Sequence, residues 1–228
     1  MIREQDHSRT RPFSTDAVQN HYADLAREYD RKANRACKLA YRRLIKRCLK
    51  GARRVVELGA GATDLLSSSD HEFEVAVDMS VPMLRARPTV PAAACLAGDA
   101  GRLPCRDAAF DAAFCVNLLE HVPDPAQVLA EAARVVVPGG RVLAVTPNGD
   151  ACKLLGLLER MHLKLPEGPH RFLTFDDLAQ SASPLEVIEH RRFLACPAGP
   201  ECMVRGIDRL ADGRGLFQYL LARKPGPA

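Results

Sequence analysis

The stretch Val55-Val56-Glu57-Leu58-Gly59-Ala60-Gly61-Ala62-Thr63 decides the fold. Its opening is β-branched and apolar, which suits a short buried strand. The run stops at a Gly-x-Gly turn. Gly59 and Gly61 permit a tight turn and let a ligand approach the backbone closely. A helix is expected over 62–69, with its first N–H groups facing an anionic group. Strand, glycine turn and helix together open an α/β unit.

Further strands follow toward the C-terminus. Residues 73–78 form a second apolar run ending at Asp78, and 93–97 a weaker third ending at Gly98-Asp99. Runs at 110–116 and 141–146 follow, with helices expected over 80–87 and 125–136. Strands alternating with helices predict a parallel sheet covered on both faces. After Asn148 the alternation breaks. A Leu-rich helix is expected over 150–165, then a turn at Pro166-Glu167-Gly168-Pro169. Thr174, with Asp177 three residues on, predicts a capped helix over 175–182. Strands over 185–194 and 216–222 are expected last, with a helix over 201–211 between them.

Toward the N-terminus, residues 1–15 are polar and expected to be flexible. Residues 16–50 read as helical, because Cys37, Ala40, Tyr41, Leu44 and Cys48 recur on one face. The domain proper is placed at 51–224, with a substrate-side insertion at 148–183. A chain of 228 residues with 26% charged and 47% hydrophobic residues is neither disordered nor collagen-like. Its net charge of +4 averages unlike regions: residues 27–54 carry a net +10, whereas residues 55–138 carry −7.

No C-x-x-C pair occurs among the eight cysteines, so a zinc ribbon is not expected. Cys196 and Cys202, flanking a Pro-Ala-Gly-Pro turn, have no assigned part. The opening Met1–His7 lacks an apolar core, and no run approaches a membrane span. A cytoplasmic protein without a membrane span is therefore expected.

Asp78 lies 17 residues after Gly61. A carboxylate there can accept two hydrogen bonds from a ribose diol. With Asp99 at the end of the next strand, the set describes a nucleoside pocket of tail, ribose and base. NAD is the competing ligand. Its fingerprint wants a third glycine, but the residue three after Gly61 is Asp64, whose charge opposes a pyrophosphate.

These residues resemble the class I S-adenosylmethionine-dependent methyltransferases. The resemblance runs through Val55–Gly61, Val77-Asp78-Met79-Ser80, Gly98-Asp99-Ala100, Phe110-Asp111, Leu119-Glu120-His121-Val122-Pro123-Asp124-Pro125 and Val137-Pro138-Gly139-Gly140. It implies a Rossmann-like, mostly parallel seven-stranded sheet with helices on both faces. The last strand would be antiparallel and a basic helical lid would precede the sheet. Glu57, Gly59 and Gly61 would surround the methionine end of the cofactor. Thr63 stands where the family often has a third glycine, and its hydroxyl would serve the cofactor carboxylate. Asp78 would hold the ribose and Met79 would pack on the adenine. Asp99 and Ala100 would meet the adenine edge. Cys115, Val116 and Asn117 would line the site near the sulfonium. S-adenosyl-L-homocysteine would be the product.

Within that class, the chain is similar to the type 11 methyltransferases and the quinone-pathway O-methyltransferases. The similar segments are Thr146-Pro147-Asn148 and Pro166–Thr174. Some relatives bind a divalent metal through Glu-x-x-Glu-His. Here Asn117 precedes Glu120-His121, a weaker set for a hard cation, so no metal is expected. His170 is the first candidate for a general base and His121 the second. Arg171 would hold an anionic substrate group, and Tyr22 and Tyr29 would help to close the site.

The expected activity is methylation of a small molecule, at oxygen or nitrogen rather than carbon, by a monomer or homodimer. RNA methylation through the basic helix is the minority alternative, since the chain has no Trp and few aromatics. A non-catalytic cofactor-binding module is the third reading.

Overall fold

The apolar runs pair into one seven-stranded sheet. The computed structural model describes residues 18, 20–24, 26, 34–66, 71–88, 93–151, 171–194 and 215–226. The strands are β1 (Arg54–Leu58), β2 (Phe73–Asp78), β3 (Ala93–Ala97), β4 (Phe110–Val116), β5 (Val136–Pro147), β6 (Glu186–Phe193) and β7 (Phe217–Arg223). Their spatial order is β3-β2-β1-β4-β5-β7-β6. The pairs β1–β2, β2–β3, β1–β4 and β4–β5 are parallel. β7 runs antiparallel to both β5 and β6, as expected for the last strand.

Successive strand residues point to opposite faces, so one strand feeds two cores. Val55, Leu143 and Val145 join one cluster with Tyr41, Leu44 and Ile45 of α1 (Arg35–Cys48). Val56, Val142 and Ala144 join the other, with Val128, Leu129 and Ala132 of α3 (Pro125–Val135). Leu178 of α4 (Phe175–Ser181) lies in that second core. The remaining helix, α2 (Val81–Ala86), packs beside β2 and β3 and buries Met83 and Leu84. Helices on both faces explain why the central strands read as near-continuous apolar runs.

The caps are local and legible. The Asp124 side chain accepts from the amides of Ala126 and Gln127, and Pro125 opens α3. Thr174 and Asp177 form the expected capping box on α4.

Two helical expectations need correction. The helix read over 16–50 is not continuous. Asn34 has an extended backbone, and its side chain accepts from Ala36 and Cys37 to start α1 afresh. The helix expected over 62–69 does not form over 62–66, where the chain makes turns. There Asp64 Oδ1 accepts from the Leu66 amide, 3.1 Å away. The carbonyls that a helix would use go instead to guanidinium groups, as described below. The expected helices over 152–165 and 201–211 lie outside the described residues, as do Tyr29, His170, Cys196 and Cys202.

Part of the basic charge of α1 is inward work. Arg42 donates to the Asp64 carbonyl at 2.6 Å, and Arg47 donates to the Tyr219 hydroxyl at 2.7 Å. Arg47 also pairs with Glu189 at 3.3 Å. Arg35, Arg43, Lys46 and Lys50 are exposed. Among the described residues, no helix is long and apolar enough to cross a membrane.

Candidate active site

Strand order reverses direction between β1 and β4. The chain runs from β1 to β2 to β3 on one side, and from β4 to β5 on the other. In open α/β sheets, the crevice at the carboxyl ends of such a pair is where ligands bind. The sequence-predicted cofactor residues collect there. Gly59 and Gly61 follow β1, Asp78 ends β2, Asp99 follows β3, and Cys115 and Asn117 close β4.

Gly59 and Gly61 have φ of 67° and 54°, a left-handed backbone that favours glycine. A Cβ on Gly59 would lie 2.7 Å from Leu118 Cδ1, so the turns after β1 and β4 touch through a missing side chain. Asn117 also has a positive φ, 52°, and its amide donates to the Val145 carbonyl at 2.8 Å. Asn tolerates this conformation better than most residues, and backbone strain of this kind gathers at functional sites. Its side-chain amide lies 3.4 Å from the Tyr41 hydroxyl of α1.

Asp78 organises the crevice. Its Oδ2 accepts from the Gly61 amide at 2.8 Å and its Oδ1 from the Ser80 amide at 2.7 Å. Each oxygen keeps a further lone pair for another donor. Burial pushes this carboxyl upward, against the pull of the two backbone donors. The Asp78 carbonyl accepts from Gly98, which joins the ends of β2 and β3. Met79 is half-buried and Thr63 and Ala100 are buried. Asp99 is exposed, and its Oδ1 accepts from Gly101 at 2.8 Å. Cys115 is 3% exposed within the core, and burial pushes its thiol up to about 12.

Beneath the glycine turn lies a buried ion pair absent from the sequence reading. Arg87 Nη2 donates to Glu57 Oε2 at 2.5 Å. Arg87 Nη1 donates to the carbonyls of Ala60, at 2.9 Å, and Thr63, at 2.5 Å. Burial pushes the Glu57 carboxyl up to about 7, although Arg87 pulls it down. The folded state therefore binds the Glu57 proton more tightly than the unfolded chain. Stability falls as pH rises from the ordinary carboxyl range to about 7. Urea unfolding at about pH 5 and about pH 7.5 tests this. Wild type is expected to lose more stability than Glu57→Gln across that interval, and equal losses would refute it.

A second group lies on the short turn Leu119–His121 after β4. Glu120 is fully buried, and its Oε2 accepts from Thr146 Oγ1 at 2.9 Å. Its carbonyl accepts from the Arg171 amide at 2.8 Å, which seats the exposed Arg171 beside this turn. His121 is buried, with Nε2 lying 2.9 Å from the Tyr22 hydroxyl. The two rings meet edge to face at 5.3 Å. Tyr22 belongs to the helical residues 20–24. With Ala26 it packs on Ala62 of the glycine turn and Met83 of α2. Among the described residues, no group of three or more His, Cys, Asp or Glu is placed to hold a metal ion.

Sequence reasoning missed Arg87, Leu118 and the pairing of Tyr22 with His121. Such partners meet across the fold and leave no local spacing.

Comparison with known proteins agrees with this geometry. Residues 56–144 match the family described as Methyltransferase domain. The ubiquinone biosynthesis O-methyltransferase of Thiobacillus denitrificans is 42% identical over 76 residues, covering 32% of this chain and 33% of that protein. The chain spans about a quarter to a third of the length of the first curated relatives it matches. A SAM-dependent methyltransferase of Thermotoga maritima superposes with a TM-score of 0.68 at 20% identity, over 91% of this chain and 99% of that one. The [4+2]-cyclase SpnF superposes equally well, with a TM-score of 0.68 at 16% identity, over 92% and 96%. Those two likenesses establish the fold alone, and the second shows that this fold hosts other chemistry. Residues 56–144 therefore match a methyltransferase domain, and the sheet order and the glycine turn facing Asp78 agree with that match.

Proposed function

We propose that the protein transfers a methyl group from S-adenosylmethionine to an oxygen or nitrogen of a small-molecule acceptor, in the cytoplasm. The observation that carries the reading is the His121 imidazole beside the Tyr22 hydroxyl, on the turn that follows Asn117 at the sheet's switch point. The thiols of Cys48, Cys95, Cys105 and Cys115 suit a reducing compartment.

The residues present fit the cofactor. The free lone pairs of Asp78 suit a ribose diol, and the left-handed Gly59 and Gly61 form the tight turn that would face the methionine end. Glu57, Gly59, Gly61 and Thr63 would surround that end. Met79, Asp99 and Ala100 would hold the adenine, and Asn117 would lie near the sulfonium. When bound, the cofactor supplies an electrophilic methyl group on a positively charged sulfur. Alignment of acceptor and methyl is then the main task of the protein.

As the acceptor gives its proton to the Tyr22 hydroxyl, that hydroxyl passes its own proton to His121 Nε2, 2.9 Å away. A base in this place suits a hydroxyl or amine acceptor, whose proton it would remove. The ubiquinone-pathway relatives, named as O-methyltransferases, support oxygen. The segment bearing Tyr22 and Ala26 rests on the glycine turn, and we assign it the part of a lid. Arg171, seated beside Glu120, would meet an anionic group of the acceptor.

The experiment is S-adenosylhomocysteine release with a panel of phenols, catechols and amines, followed by mass analysis of the product. Methylation at oxygen or nitrogen is expected, and a product methylated only at carbon would contradict the reading. General-base catalysis contributes about 100-fold or more, so His121→Asn should lower kcat by at least that factor with cofactor affinity retained. Undiminished kcat in His121→Asn would remove His121 as the base.

A further inference from the structure

We propose that Arg87 is the positioning residue of the glycine loop, replacing the helix turn that does not form after Gly61 and thereby setting affinity for the cofactor. The proposal rests on the S-adenosylmethionine reading of the site.

The loop is gripped at three points. Arg87 Nη1 takes the carbonyl of Ala60, Asp78 takes the amide of Gly61, and Arg87 Nη1 also takes the carbonyl of Thr63. One planar guanidinium thus reaches both shoulders of Gly61. Its other nitrogen, Nη2, is fixed by Glu57 at the end of β1. Both side chains of that pair are 3% exposed. In a helix, the carbonyls of residues 60 and 63 would accept from amides four residues on. Here residues 61–66 make turns, and buried carbonyls left without a donor are costly. Arg87 supplies those donors from a different element, at the residue that ends α2. An arginine suits this task because its forked donors are held in one rigid plane, whereas a lysine presents a single compact ammonium.

The competing account is that Arg87 merely neutralises Glu57. Removing one member of a buried ion pair threatens folding, whereas removing both is tolerated far better. The double variant Glu57→Gln/Arg87→Met therefore separates the accounts. Hydrogen exchange of the full chain reads the loop without any ligand. If Arg87 positions the loop, amides 59–64 should exchange at least about tenfold faster in the double variant, with 110–116 and 125–135 unchanged. Titration of Arg87→Lys, which leaves Glu57 in place, with S-adenosylhomocysteine should show an affinity loss of at least about tenfold. Arg87→Lys keeps a charge opposite Glu57 and should give the same exchange pattern. It decides the matter if the double variant does not fold. Wild-type exchange in the loop of either folded variant would overturn the proposal. If wild type itself fails to bind S-adenosylhomocysteine, the cofactor reading falls, while the exchange data still decide what Arg87 does.

Discussion

Asp78→Ala should abolish measurable cofactor binding at concentrations that saturate the wild type. The carboxylate has two tasks that add. It holds the amides of Gly61 and Ser80, and its remaining lone pairs are those we assign to the ribose diol. Hydrogen bonds to a charged acceptor contribute about 1.5–3 kcal/mol each, so losing two toward the ribose lowers affinity by about 100-fold or more. Freeing the Gly61 amide loosens the turn and adds to the loss. Asp78→Asn should fall between the two, because one of its terminal atoms becomes a donor facing a backbone donor. Titration calorimetry with S-adenosylhomocysteine checks both variants. Wild-type affinity in Asp78→Ala would remove the ribose role.

Gly59→Ala should be nearly as damaging. A left-handed backbone costs a residue with a Cβ about 1–2 kcal/mol. The new Cβ would also stand 2.7 Å from Leu118 Cδ1, closer than real Cβ atoms come, and 3.1 Å from Leu118 Cβ, tighter than most real Cβ contacts. Crowding of this kind costs about 1–3 kcal/mol. Leu118 is followed directly by the turn that carries His121, the base we propose, so relief by shifting Leu118 would disturb it as well. The expected result is a lower thermal midpoint together with loss of both cofactor affinity and turnover. The variant Leu118→Ala/Gly59→Ala makes room for the added methyl group. It should recover part of the midpoint and little of the affinity, because the strained φ persists. Full recovery of affinity would assign the whole effect to crowding.

The contrast between what the sequence reveals and what it conceals follows from locality. The first three strands were legible because each is an apolar run that stops at a glycine or an acid, and those stops lie at the ligand end of the sheet. Asp124 and Thr174 were legible as caps because a cap and its amides lie within three residues of each other. The helix after Gly61 was misread because its fate depends on Arg42 and Arg87, which come from other elements and take the carbonyls of Ala60, Thr63 and Asp64. For the same reason, the charge of α1 looked like a surface for an anionic partner. Arg42 and Arg47 are in part spent on backbone and on Tyr219. His170, the first candidate by sequence, lies outside the described residues, and His121 was the second. Its standing rises with the Tyr22 hydroxyl 2.9 Å away, a contact across 99 residues of chain. The residues from 152 to 170 and from 195 to 214, His170 among them, lie outside the described residues.

The central claim is that the crevice formed by Gly59, Gly61, Asp78 and Asp99 holds S-adenosylmethionine. Calorimetric titration of the full chain with S-adenosylhomocysteine, and separately with NAD, tests it most directly. The account predicts saturable one-to-one binding of S-adenosylhomocysteine that Asp78→Ala removes, and no binding of NAD. Binding of NAD with none of S-adenosylhomocysteine would contradict it.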